Sequence, residues 1–297
     1  MPNPNLANRK FRHPILGALG WFLIAYLLVN FCAMGALIIE PENEARQMLW
    51  VYGLGAFGGV YSLFFFYMIY RSEKLQNFAT CGSFRLGALL IIPGLLYAMT
   101  GIPVITTAPT LQSTLLSLNA GVAEEVMFRA LPIAYMMRAY KFEEKKIPLV
   151  VITTGAFFGL FHMTNMIAGA SFAVSVYQAI YCIAIGILFG AVYIRSGNII
   201  WCIISHFTQD FIAMLNEEAV QSDGIMNDIA FDLEYLISLS VAAVLAVIGL
   251  IYIRKSKRGE ISKRWKTIWA YKENMPEAGD SDAAEPAAES SAISHTI

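Results

Sequence analysis

The chain has 297 residues, of which 57% are hydrophobic and only 14% charged, with a net charge of −1. Soluble domains carry about 25% charged residues, so this balance excludes a soluble globular protein, and the near-zero charge gives no pull toward nucleic acid. Cys32, Cys81, Cys182 and Cys202 are scattered, without the spacing of a disulfide framework or a metal site.

Windows of about 20 apolar residues, the length that spans a hydrocarbon core, predict eight helical segments. The first, 14–39, follows Arg9, Lys10 and Arg12. It exceeds the roughly 7–15 residues of a signal-peptide core and reads as a retained anchor. Segments 48–70 and 86–104 come next. The fourth, 111–137, is apolar except for Glu124, Glu125 and Arg129 near its middle. The fifth, 148–166, carries His162; the sixth is 172–194; the seventh, 198–215, carries His206 and Asp210; the eighth is 231–253. Gly155 with Gly159 and Gly186 with Gly190 are spaced for close helix approach. The basic run after Ile253 reads as a stop-transfer flank, with anionic lipid headgroups as an alternative partner. The expected organisation is an N-terminal tail at 1–13, a transmembrane helical domain at 14–266 and a disordered acidic tail at 267–297.

Charge placement tests this segmentation independently. With the N-terminus cytoplasmic, 19 of the 21 basic residues fall in inner loops or tails, leaving Arg46 outside and Arg129 in the membrane. The outer loops instead collect Glu40, Glu42, Glu44, Glu217, Glu218, Asp223 and Asp228. The positive-inside rule is met throughout. The expected fold is therefore an all-α polytopic membrane helix bundle of about eight transmembrane helices with both termini cytoplasmic.

A charged side chain at the centre of a membrane helix costs about 2.5–3.5 kcal/mol on insertion scales, and such residues usually mark a site. Glu125 and Arg129 are four apart and can pair along one helical face. Glu124 points about 100° away and has no partner on its own helix. A buried carboxylate so placed suits a general base. Phe158 and His162 share a face of the fifth segment, and His206 and Asp210 share a face of the seventh. At 1.5 Å per residue, Glu124 and His162 lie about 21 Å from their inner ends, and His206 and Asp210 about 12 and 18 Å. These depths are compatible with one pocket.

In this order on successive segments, Glu124-Glu125 with Arg129, Phe158 with His162, and His206 with Asp210 resemble the motifs of the CPBP intramembrane protease family. That family, also called Abi, joins the CAAX prenyl endopeptidases to bacteriocin-processing and immunity proteins. The resemblance spans about residues 105–215. It implies a glutamate-dependent peptidase of a bacterial cell membrane, in which Glu124 activates water with help from His162. Glu125 and Arg129 then form a supporting ion pair, and His206 with Asp210 stabilises the oxyanion. Asp210 departs from the asparagine of the CAAX endopeptidases, and an ionised aspartate cannot donate to an oxyanion. It must carry a proton, orient His206 or bind a metal. Glu124, His162, His206 and Asp210 include the donor types of a zinc site, but the prenyl-protease branch looks metal-free, and hydrolysis without a cofactor is the expectation here.

The expected partners are the bilayer and a membrane-anchored or prenylated peptide or protein substrate, with no nucleic acid. Buried Glu, His and Asp also build proton relays, so an ion-coupled transporter is a second reading. The absence of an internal repeat and the confinement of the polar groups to half of the helices weigh against it. A third is a catalytically idle immunity or scaffold protein.

Overall fold

A computed structural model describes residues 11, 13–102, 105–167, 169–215 and 233–271. It is built from helices: α1 (Pro14–Met34), α2 (Glu44–Tyr70), α3 (Phe84–Met99), α4 (Leu111–Asn119), α5 (Leu131–Ala139), α6 (Ile147–Phe161), α7 (Phe172–Ser196), α8 (Ile200–Ala213), α9 (Leu233–Tyr252) and α10 (Lys255–Ile268). The helix starts follow local chemistry. Asn43 caps α2 by accepting from the Arg46 N–H (3.0 Å), and Ser83 and Ser171 cap α3 and α7 in the same way. At α4, Thr110 and Ser113 accept from each other's backbone N–H groups. Gly197, at φ +69°, ends α7 in the left-handed conformation that glycine adopts without strain.

Among the described residues, five helical stretches are long and apolar enough to cross a bilayer, starting at Pro14, Glu44, Glu144, Phe172 and Tyr235, and α3 is a shorter apolar helix. Their outer surfaces are greasy: Leu27, Phe31, Phe57, Leu89, Leu96 and Leu233 are all largely exposed. Apolar surface on this scale belongs in lipid. The molecule is an all-α membrane helix bundle. Glu124, Glu125 and Arg129 lie between α4 and α5, and His206 and Asp210 lie on α8.

Each predicted segment reappears as helix, with three differences. The fourth is not one continuous helix: α4 opens into π-helical turns at Ala120–Glu124 and Val126–Ala130 before α5 resumes. Such turns insert extra backbone into a helix and occur frequently at functional sites. The fifth ends earlier, because α6 stops at Phe161 and His162–Met166 forms a tight 3-10 turn. The third difference is α10, a helix where only a basic flank was expected. Ile261, Trp265 and Ile268 on one side of α10 are buried, and the Trp265 indole N–H donates to the Ile194 carbonyl at 2.8 Å. Ser262 Oγ donates to the Phe142 carbonyl (2.7 Å), and Arg264 Nη1 donates to the Arg195 and Ser196 carbonyls that end α7. The expectation of a disordered tail from 267 therefore fails at its start, since Ile268 and Trp269 are buried. The rest of that tail, 272–297, lies outside the described residues, as do residues 1–10 and the acidic positions Glu217, Glu218, Asp223 and Asp228. The expected N-terminal tail likewise contains a packed residue, Phe11, whose ring stacks on Tyr70 at 5.4 Å.

Small residues set the helix spacing. A Cβ on Gly186 of α7 would lie 2.9 Å from the Cα of Gly155 on α6, so this pair of the predicted glycines meets face to face. Two glycines outside that pattern hold the π-helical turns. A Cβ on Gly59 of α2 would come within 2.8 Å of the Ala123 Cα, and one on Gly121 within 3.1 Å of the Ile203 carbonyl oxygen of α8. Replacing Gly59 with valine is expected to push the turn carrying Glu124 off α2 and to destabilise the fold by about 1–3 kcal/mol, the usual cost of overpacking. Thermal unfolding of the purified variant in detergent measures this; an unchanged midpoint removes Gly59 from the account.

Candidate active site

Three carboxylates converge on one side chain, His206 of α8, which is 7% exposed. Its Nδ1 lies 2.8 Å from Glu125 Oε1, and its Nε2 lies 3.7 Å from Glu124 Oε2 and 3.5 Å from Asp210 Oδ2. Adjacent glutamates on a regular helix diverge too far to share a partner. Here the π-helical turns and the two opposed nitrogens of the imidazole let both reach the same ring. Glu124, without a partner on its own helix as expected, finds one on α8.

Beneath this contact sits the predicted ion pair. Arg129 Nη1 donates to Glu125 Oε1 at 2.9 Å, and both side chains are fully buried. The Arg129 guanidinium lies 3.9 Å above the Phe158 ring and 5.7 Å from that of Phe189. Such stacking stabilises a desolvated guanidinium. Phe158 also meets His162 (4.8 Å) and His206 (5.7 Å) edge to face, so one ring positions three polar residues. Phe189 was not singled out by sequence, because a phenylalanine in an apolar run carries no signal of its own.

The proton positions follow from the partners. Glu125 Oε1 already accepts from Arg129, so His206 Nδ1 must carry the hydrogen of their contact. His206 Nε2 then faces two carboxyl groups, and a favourable arrangement needs one proton shared among His206, Glu124 and Asp210. At His162, Nδ1 lies 2.9 Å from the Phe158 carbonyl, which can only accept. Nδ1 is therefore the protonated nitrogen, and in the neutral ring Nε2 is left as an acceptor.

Glu124, His162, His206 and Asp210 all line a cavity of about 400 Å³. The side chains of Glu124 and Asp210 are 28% and 32% exposed, against 9% for His206, whereas Glu125 is sealed at 0%. The expectation that these residues share one pocket holds for the geometry. The pocket is also wider than the predicted fourth to seventh segments: Tyr97 of α3 and Ser238 of α9 line it, together with Tyr177 and Tyr181 of α7 and Gln209 of α8. Among the described residues no group of three or more His, Cys, Asp and Glu side chains is arranged to hold a metal ion.

Residues 106–212 match the family model described as Type II CAAX prenyl endopeptidase Rce1-like. This segment is similar to the CAAX protease (CPBP) family. Every motif residue from Glu124 to Asp210 falls inside it, whereas Tyr97 and Ser238 fall outside. No curated protein and no solved structure gave a match to the chain. The matched segment thus contains the buried carboxylates, the histidines and the face of the cavity that holds them, while α3 and α9 line the cavity from outside it.

Proposed function

We propose that the chain hydrolyses a peptide bond in a membrane-anchored peptide or protein, using a water activated by Glu124. The observation that carries this reading is the shared cavity, in which Glu124 and Asp210 flank His206 and His162 lines the same space. Water has two hydrogens to place. Glu124 and His162 Nε2 are both acceptors, and a water donating to the two keeps a lone pair for the scissile carbonyl carbon. As the carbon–oxygen bond forms, one water proton passes to Glu124. The tetrahedral intermediate then expels the amine, which takes that proton as the carbon–nitrogen bond breaks. His206, protonated at both nitrogens, supplies positive charge for the developing oxyanion. Asp210 cannot make that donation when ionised, and its contact with His206 Nε2 supports an orienting role. Glu125 and Arg129 hold the other edge of the ring. In this reading the reaction needs no metal. The charge distribution along the loops supports eight crossings with both termini cytoplasmic, and a bacterial cell membrane follows from the family resemblance alone.

The test is cleavage of a membrane-anchored peptide library in liposomes, with prenylated and unprenylated members, with and without a chelator. Cleavage that survives the chelator and is lost in His162→Ala is the expected result. Loss on chelation with recovery on added zinc would move Glu124, His162, His206 and Asp210 into a metal site. An inert wild type across the library would overturn hydrolysis, and proton-coupled solute uptake would be measured next.

A further inference from the structure

The cavity carries an excess of acidic groups. Glu124 and Asp210 open into it, and among the described residues that line it there is no lysine or arginine. Arg129 is spent on Glu125 beneath the floor. Three carboxylates, Glu124, Glu125 and Asp210, face Arg129 and His206, so even a fully protonated His206 leaves one negative charge in excess. In surroundings of low dielectric such an excess acts strongly on whatever enters.

The rest of the wall points the same way. Tyr97, Tyr177 and Tyr181 line the cavity as neighbouring rings, with centroids 6.0 Å apart for Tyr97 and Tyr181 and 6.3 Å for Tyr177 and Tyr181. Their hydroxyls are held by α8 and α9. Tyr177 donates to Ser238 Oγ at 2.9 Å, so its oxygen keeps lone pairs free to accept, and Gln209 Nε2 donates to the Tyr181 oxygen. Phenol rings and oxygens beside carboxylates are the surroundings that a desolvated ammonium or guanidinium group finds favourable. The same wall repels a carboxylate, and like charges at close quarters discriminate effectively against wrong partners. Tyr97 and Ser238 lie outside the segment matched by the family model, whereas Tyr177, Tyr181 and Gln209 lie inside it.

We propose that the tyrosine wall and the open carboxylates select substrates with a lysine or arginine next to the scissile bond and reject those with an acidic residue or a free carboxylate there. The inference rests on the hydrolytic reading and names the substrate class for that same cavity.

The test uses membrane-anchored peptides in liposomes that are identical except for Lys, Gln or Glu at each position flanking the scissile bond. The Lys peptide is expected to exceed the Gln peptide in kcat/KM by about tenfold at one position, about 1.4 kcal/mol of selectivity, with Glu slower still. Tyr181→Leu should bring the Lys-to-Gln ratio toward one, and Tyr181→Phe, which keeps the ring, should retain most of it. Binding of the same three peptides to His162→Ala, which keeps both open carboxylates, is measured in parallel. Equal cleavage of the three peptides, or preference for Glu, overturns the selectivity and leaves hydrolysis standing. Binding in the order Lys, Gln, Glu with no cleavage by wild type overturns hydrolysis and keeps the selectivity. The absence of both cleavage and a binding order overturns both.

Discussion

Glu124→Gln is expected to lower peptide hydrolysis by about 10²–10⁴-fold, the usual contribution of a general base, while leaving the fold intact. The exchange preserves shape and removes only the charge and the ability to take a proton. Glu124 is the glutamate open to the cavity, whereas Glu125 is sealed in its pair with Arg129. Its one ion-pair contact, 3.7 Å from His206 Nε2, is long enough that the amide should fit without rearrangement. Initial rates on a membrane-anchored peptide, together with the thermal midpoint in detergent, measure both halves. A variant within a few-fold of wild type would remove Glu124 as the base and shift attention to His162. A lowered midpoint would mean that the side chain has a structural role as well.

Arg129→Met should be the most destabilising single exchange in the site, at about 3–5 kcal/mol. It leaves Glu125 fully buried with its cation gone, and His206 Nδ1 at 2.8 Å replaces only part of what the guanidinium supplied. Lysine should not rescue it, because the planar guanidinium that donates to Glu125 also stacks 3.9 Å from the Phe158 ring. The informative comparison is the double variant Glu125→Leu with Arg129→Met. Removing both charges should recover most of the lost stability, since a desolvated pair is worth little against an apolar replacement. Activity should stay low, because His206 then loses the group that holds Nδ1. Unfolding in detergent and peptide cleavage read the two effects separately. Recovery of activity in the double variant would rule out orientation of His206 as the purpose of the pair.

Much of this architecture was legible from hydropathy, because a membrane helix must be apolar over a fixed length, and all eight segments reappear as helix. The glutamates and Arg129 were legible for the converse reason: charge in an apolar run is costly enough to require a purpose. What stayed hidden depends on the third dimension. The π-helical turns leave no mark in the sequence beyond Gly121, so the meeting of both glutamates at His206 could not be read from a helical wheel. Tyr97 and Ser238 look ordinary in apolar helices, and their place in the cavity follows only from how α3 and α9 pack. The missed α10 is different. Ile261, Trp265 and Ile268 recur at four- and three-residue spacing, a helical stripe that the surrounding lysines and arginines obscured.

The docking of α10 also has a consequence for the order in which the molecule is made. A ribosome delivers α10 after every other described helix, yet α10 supplies the donors for carbonyls of Phe142, Ile194, Arg195 and Ser196. Until it emerges, these carbonyls lack the donors of α10, although the Ser83 N–H already reaches the Ser196 carbonyl at 2.8 Å and the segments carrying Glu124, His162 and His206 are synthesised. Insertion and maturation are thereby separated in time. A nascent chain stalled at residue 253 would have its active-site helices in place but one face of the bundle still unsealed.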